Sequence, residues 1–79
     1  MKTRFEAGLF RQGKDGPVYD IERNPDSELG WLAYPVRDAG LHRGSGDTQL
    51  SVHRDTTQPI VLTIELWLSL QHFMPEMAR

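Results

Sequence analysis

Short segments of alternating apolar and polar residues, separated by turn-forming residues, limit the fold of this sequence more than any other feature. Residues 3–10 and 17–23 each carry apolar side chains at every second position. Residues 12–16 between them, Gln-Gly-Lys-Asp-Gly, favour a tight turn. Alternation at period two is typical of strands with one buried face. The pattern therefore predicts an antiparallel hairpin over residues 3–23.

The middle of the chain predicts less regular structure. Residues 24–28 are a turn or the start of a short helix. Residues 31–36 predict a third strand, which Pro35 marks as an edge strand or an irregular one. Residues 38–48 contain three glycines and predict a mobile loop. A short strand is expected at 49–54.

The last apolar segment fits two structures. Residues 60–70 alternate as a strand does, whereas residues 65–74 also fit an amphipathic helix. A straight strand of eleven residues would run roughly 36 Å. A compact domain of this length is only about 30 Å across. The β-branched residues favour a strand over residues 58–65, followed by a short helix that Pro75 ends.

These elements predict an α+β fold in which an antiparallel sheet of four or five strands carries one short C-terminal helix. An all-β fold, with the last strand extended through residues 65–74, is the alternative. The 79 residues form a single domain, 1–79. A chain of this size buries about 60% of its unfolded surface, so a homodimer is one source of additional burial.

Composition narrows the classes of function. Nine Lys and Arg against eleven Asp and Glu give a net charge of −2, which disfavours direct nucleic-acid binding. The absence of cysteine excludes disulfides and thiolate metal sites. Residues 60–70 are too short and too polar to span a membrane. Residues 1–6 do not resemble a signal peptide, which predicts a cytoplasmic location.

No catalytic, metal-binding or cofactor-binding pattern is present in the sequence. His42, His53 and His72 lack the spacing of metal ligands, and Gly44-Ser45-Gly46 fits neither a dinucleotide fingerprint nor a Walker loop. Acid–base residues such as His53 and Asp55 follow no recognisable catalytic arrangement. The sequence therefore predicts a non-enzyme without cofactor or metal.

Aromatic and arginine side chains in the middle of the chain are the candidates for contact with a protein partner. These residue types dominate interface hot spots. The alternative interpretation is a solvated loop of mixed charge. The predicted partner-binding residues are Trp31, Tyr34, Arg37, His42, Arg43 and Arg54.

In size, charge balance and lack of catalytic motifs, the chain resembles the small inhibitors encoded by phages and other mobile elements, especially those of the anti-CRISPR type. The resemblance implies a phage protein in the host cytoplasm that binds a CRISPR effector complex and sterically blocks its access to target DNA. It assigns no functional residue. The alternatives are a small β-ribbon DNA-binding regulator and, less favoured, a toxin-like ribonuclease that uses His42, His53 and Arg54.

Overall fold

Six antiparallel strands and one short helix are present in residues 4–76, the part of the chain that this computed structural model describes. In chain order the elements are β1 (Gly8–Gln12), β2 (Val18–Arg23), β3 (Trp31–Arg43), β4 (Thr48–Arg54), β5 (Ile60–Val61), α1 (Ile64–Leu68) and β6 (Leu70–His72). The mostly antiparallel sheet with one helix agrees with the predicted α+β class. The predicted number of strands, four or five, is wrong, since two very short strands near the C-terminus bring the count to six. The strands form a sheet with the order β4-β3-β2-β1-β6, and β5 pairs with β3.

The predicted first hairpin is confirmed, although its first strand begins at Gly8. Phe10 lies opposite Tyr19 in the register of β1 and β2. The turn is closed by the Gln12 amide, which donates to the Pro17 carbonyl at 2.9 Å. Gly13 has a φ of 65° there, a conformation that glycine adopts without a steric cost.

The core lies on one face of the sheet, here called the core face. Phe10, Ile21 and Ala33 come from three adjacent strands and are almost completely buried. The segment from β5 to β6 covers them and supplies the other buried members of the cluster, Leu62, Trp67 and Leu70. The rings of Phe10 and Trp67 meet at 4.9 Å between centroids. Burial of these side chains is the main stabilising contribution, because apolar area removed from water contributes about 25 cal/mol per Å².

The C-terminal third differs from the predicted strand over 58–65 and the predicted helix to residue 74. The strand covers only Ile60–Val61, because the helix begins at Ile64 with Thr63 as its N-cap. The helix ends at Leu68 because the Ser69 amide closes the last turn by donating to the Leu66 carbonyl at 3.0 Å. The chain then returns to the sheet as β6, so residues 65–74 contain part of a helix and a separate short strand rather than one extended strand.

The predicted mobile loop over 38–48 is wrong. β3 continues through this stretch to Arg43 and pairs with β4, so only residues 44–47 form the turn. The glycine in the middle of this stretch, Gly40, is accommodated opposite Ser51 within the ladder. Two glycines lie in the turn, where Gly46 has a φ of 94°.

Candidate protein-binding arm

The second half of β3 and the whole of β4 form a two-stranded arm, defined here as residues 36–54. Residues 31–35 of β3 pair with β2, whereas β3 beyond Pro35 pairs with β4. In the described part of the chain, β4 pairs with β3 alone. The molecule measures 40 × 26 × 20 Å along its principal axes, as expected for a small sheet with a projecting arm.

The arm has one apolar face and one polar face. Directly opposed residues in an antiparallel pair share a face. Ala39 is opposite Val52 and Leu41 is opposite Leu50, which makes the apolar face. Leu50 is 54% exposed, so this face is only partly covered. The polar face is formed by three opposed pairs, Asp38 with His53, Gly40 with Ser51 and His42 with Gln49.

Arg37 is the extra residue of a β-bulge at the base of the arm. Val36 lies opposite Arg54, and the next pair along the ladder is Asp38 with His53. The additional residue reverses the alternation of β3, since a bulge puts two residues opposite one. Without it, the face that carries Val36 would continue with Asp38 and not with Ala39. The bulge therefore places the apolar residues of β3 beside those of β4.

Arg54 attaches β4 to the neighbouring strands. Its guanidinium donates to Asp20 at 3.2 Å and to Glu22 at 3.1 Å. It also lies over the ring of Tyr34, 4.2 Å from the centroid. These contacts lie on the sheet face opposite the core, because Asp20 and Tyr34 are opposed in the register of β2 and β3.

The pKa values in this cluster reflect burial and charge together. Burial raises the pKa of Asp20, and the attraction of Arg54 only partly offsets this. Burial also raises the pKa of Tyr34, assisted by the carboxylate of Glu22. For Arg54, burial acts to lower the pKa, but hydrogen bonds and charge attraction from Glu22 and Asp20 together raise it. The guanidinium therefore stays charged.

The C-terminal segment, residues 73–76, reaches the edge of the arm. The ring of Phe73 packs under the Arg11 guanidinium, with 4.8 Å from Cζ to the ring centroid. Phe73 also lines a cavity shared with Val18 of β2 and residues 36–39 of the arm. The Glu76 carbonyl then accepts a hydrogen bond from the Leu41 amide at 3.4 Å.

The predicted partner-binding residues fall into three places. Arg37, His42 and Arg43 are exposed on the arm. The Arg37 side chain is 75% exposed, and its guanidinium nitrogen lies 3.8 Å from a carboxylate oxygen of Asp55. Tyr34 and Arg54 are brought together in the cluster at the base of β4, where Tyr34 is buried. The remaining residue, Trp31, is at the other end of β3.

Trp31 belongs to a different surface. Its ring meets Phe5 edge-on, with 6.2 Å between centroids. Together they line an open cleft of about 460 Å³, whose other walls are Arg4, Arg23 and Ile64. The sequence does not predict this cleft, because the residues that line it are far apart in the chain and share no local pattern.

The sequence also failed to indicate the opposed pair Leu41 and Leu50. The glycines of residues 38–48 predict a loop, so the sequence offers no strand partner for Leu41. The alternation of Leu50 and Val52 with polar residues indicates that Leu50 lies on an apolar face of a strand. It does not indicate that this face remains exposed to solvent. The three residues of the ribonuclease alternative do not share one face of the arm. His42 and His53 lie on the polar face, whereas Arg54 lies on the opposite face.

Within residues 4–76, no three His, Asp or Glu side chains lie close enough together to hold a metal ion. The same part of the chain contains no helix that is long and apolar enough to cross a membrane.

No protein-family model, curated protein or solved structure significantly matches this chain.

Proposed function

We propose that this protein is a non-catalytic inhibitor that binds another protein through the polar face and tip of its arm. The observation that supports this most is the exposure of Arg37, His42 and Arg43 on an element that projects beyond the main sheet. A seven-residue strand extends about 23 Å, which is long enough to enter a cleft or to cover an entrance. The inhibitor acts by occupying space that its partner needs.

The charges of the arm favour a protein as the partner. Asp38 and Asp47 are exposed beside the basic residues, so the arm presents both signs of charge within a short distance. A surface that tracks nucleic-acid phosphates is expected to carry positive charge without such interruption. Arginine forks pair well with carboxylates, and a partner surface with interspersed acidic residues complements Arg37 and Arg43.

The partner that we propose is a CRISPR effector complex, in line with the resemblance to inhibitors of the anti-CRISPR type. The arm would occupy either the path of target DNA or the docking site of a nuclease. Both positions produce stoichiometric inhibition, in which one inhibitor inactivates one complex and no bond is broken.

The test is a DNA-binding assay with a panel of guide-loaded effector complexes of different types. Each complex is mixed with increasing amounts of this protein before labelled target DNA is added. The expected result is loss of target binding that is complete near one inhibitor per complex. If every complex in the panel retains its DNA at excess inhibitor, the proposed partner is wrong.

Variants then test the arm as the contact surface. The double substitution of Arg37→Ala with Arg43→Ala is expected to weaken inhibition at least tenfold, since interface arginines often contribute more than about 1.4 kcal/mol. Arg23→Ala is the matched control, because Arg23 is an exposed arginine outside the arm. Equal inhibition by the double variant and the control would remove the arm from the proposal.

The shape of the arm supports a second candidate function, DNA binding by a β-ribbon. Two-stranded ribbons enter DNA grooves in several families of regulators. A fluorescence titration with duplex DNA at several salt concentrations distinguishes the two functions. DNA binding that weakens steeply with salt and depends on Arg43 supports this candidate, because phosphate contacts release counterions. Weak binding without that dependence contradicts it.

A further inference from the structure

The outer edge of β4 is an unprotected strand edge. Thr48–Arg54 contains neither proline nor lysine, the residues that commonly block pairing at sheet edges. No described strand pairs with this edge. Leu50, the third residue of this strand, lies on the apolar face and is 54% exposed. An edge of this kind is a template for another strand.

Hydrogen bonds within the arm show which backbone groups face outward. The Leu41 amide donates to Glu76, so it points away from β4. Antiparallel ladders alternate between hydrogen-bonded and non-hydrogen-bonded pairs, which makes Leu41–Leu50 a non-hydrogen-bonded pair. The Gly44 amide donates to Asp47 at 2.6 Å, in agreement with the same alternation. The N–H and C=O groups of Leu50, and of the residues two before and two after it, therefore face outward.

We propose that β4 pairs antiparallel with β4 of a second copy of this chain, about a two-fold axis at Leu50. This register puts Leu50 opposite itself and Thr48 opposite Val52 on the apolar face. On the polar face it puts Gln49 opposite Ser51. Asp47 comes opposite His53, an attractive pair when the histidine is protonated, and no two like charges are opposed.

The second copy is the occupant because the strand is complementary to itself. Leu50 meets Leu50 and Gln49 meets Ser51, and Thr48, whose side chain carries a methyl group, meets Val52. A two-fold interface requires such self-complementarity, since the same surface is used by both copies. The pairing also adds two strands to a two-stranded arm, which is marginally stable by itself.

The dimer is independent of the proposed inhibitory function. In the paired form the two polar faces lie side by side on one four-stranded surface, and Arg37, His42 and Arg43 remain uncovered. A negative result in the inhibition assay therefore does not contradict the dimer. A monomeric protein, in turn, would still expose the same polar face to a partner.

Sedimentation equilibrium of the full chain over a concentration series is the first test. The expected mass is twice the chain mass of 9.1 kDa at the upper end of the series. A mass of one chain at every concentration would overturn the proposal. The edge of β4 would then be either unpaired or a binding site for a strand of another protein.

Substitutions at Leu50 locate the interface. Leu50→Lys places two ammonium groups opposite each other, and Leu50→Pro removes an outward N–H without breaking a bond to β3. Each is expected to raise the dissociation constant of the dimer at least tenfold. Leu29→Lys is the control, because Leu29 is 51% exposed and lies outside the arm. Far-ultraviolet circular dichroism verifies that all three variants fold. A dimer that is weakened equally by Leu29→Lys and Leu50→Lys contradicts the proposal.

A cysteine tests the register. The chain has no cysteine, so Leu50→Cys introduces the only thiol. In the proposed hydrogen-bonded pair the two Cα atoms are about 5.5 Å apart, within the range of a disulfide. Oxidation is expected to link the Leu50→Cys chains rapidly and the Leu29→Cys chains slowly. Equal rates of linkage would show that the strands do not meet at Leu50.

Discussion

The guanidinium of Arg54 lies 4.2 Å from the ring centroid of Tyr34 and joins the base of the arm to the main sheet. The same group donates to Asp20 and Glu22 on β2, so one side chain of β4 contacts two other strands. Hydrogen bonds to charged groups contribute more than neutral ones, and the ring adds a cation–π contribution. Arg54 thus attaches β4 to β2 through its side chain, in addition to the backbone ladder between β4 and β3.

Arg54→Ala is therefore expected to lower the free energy of unfolding by about 1–2 kcal/mol, since the side chain is partly exposed to solvent. Arg54→Lys retains the charge but not the fork, and should recover only part of this loss. Urea denaturation followed by circular dichroism measures both. Arg43→Ala, at an exposed position on the arm, should change stability by less than about 0.5 kcal/mol. Similar losses for Arg43→Ala and Arg54→Ala would contradict this role of Arg54.

Deletion of Arg37 tests the bulge. Without this residue the alternation of β3 shifts by one position, which turns Ala39 and Leu41 to the polar face. We expect the arm to lose its pairing while the main sheet stays folded, and amide hydrogen exchange by NMR should show faster exchange in residues 38–52. Arg37→Ala keeps the number of residues and is expected to leave exchange in the arm unchanged. An intact arm in the deletion variant would show that the register adjusts freely.

Local chemistry was sufficient to predict the first hairpin and β4. Residues 12–16 supply turn formers between two alternating segments, so pattern and turn agree. The arm was missed because glycines at 40, 44 and 46 indicate a loop. Only two of these three glycines lie in the turn, and Gly40 is held in the strand by its pairing with Ser51 across the hairpin. The propensity of a single residue does not report its pairing with a facing strand, and that pairing places Gly40 in β3.

The C-terminal third illustrates a second limit. The alternation over 60–70 agreed with a strand and the spacing over 65–74 with a helix, and the structure uses each for a few residues. Thr63 is a residue type that favours the N-cap position, and it marks the start of the helix. The β-branched residues around it instead favour a strand. For the candidate site, the sequence indicated the exposed arginines but not that Tyr34 and Arg54 contact each other.

Thr63→Ala tests the helix cap. The Thr63 hydroxyl accepts a hydrogen bond from the Leu66 amide at 3.1 Å. Loss of an N-cap costs about 1 kcal/mol, and a five-residue helix has few other bonds to compensate. Thermal denaturation should show a lower midpoint for Thr63→Ala and a nearly unchanged one for Thr63→Ser, which keeps the hydroxyl. If the serine variant loses as much as the alanine variant, the methyl group and not the cap is responsible.

The two carboxyls near Arg37 and Arg54 are expected to titrate in opposite directions from their ordinary value of 3.8. Hydrogen bonds from the Thr57 hydroxyl and amide lower the pKa of Asp55. Burial raises the pKa of Asp20 despite the neighbouring Arg54. Asp55 thus contributes stability above pH 3.8 that is lost as the pH falls through its lowered pKa. For Asp20 the sign is opposite, because the folded state retains its proton, so stability declines as the pH rises from 3.8 through the raised pKa.

Carboxyl-carbon chemical shifts followed by NMR across the acidic range measure both pKa values. The expected order is Asp55 below Asp20. Thr57→Val removes the hydroxyl but keeps the amide, and should raise the pKa of Asp55 while leaving that of Asp20 in place. The reverse order of the two carboxyls would mean that the attraction of Arg54 outweighs the burial of Asp20.

Phe73→Ala tests the link between the C-terminal segment and the arm. The ring contacts Arg11 and lies beside residues 36–39, and three residues later Glu76 accepts the Leu41 amide. Removal of this half-buried ring should cost about 1 kcal/mol and release the segment.

The Leu41 amide should then exchange its hydrogen faster, because its acceptor is Glu76. The His42 amide, which the ladder directs to Gln49, should exchange at its former rate once the change in global stability is subtracted. Met74→Ala is the control, since Met74 lies in the same segment but is 80% exposed. Equal acceleration at Leu41 and His42 would mean that Phe73 stabilises the whole arm, and that the C-terminal segment does more than cover one edge of β3.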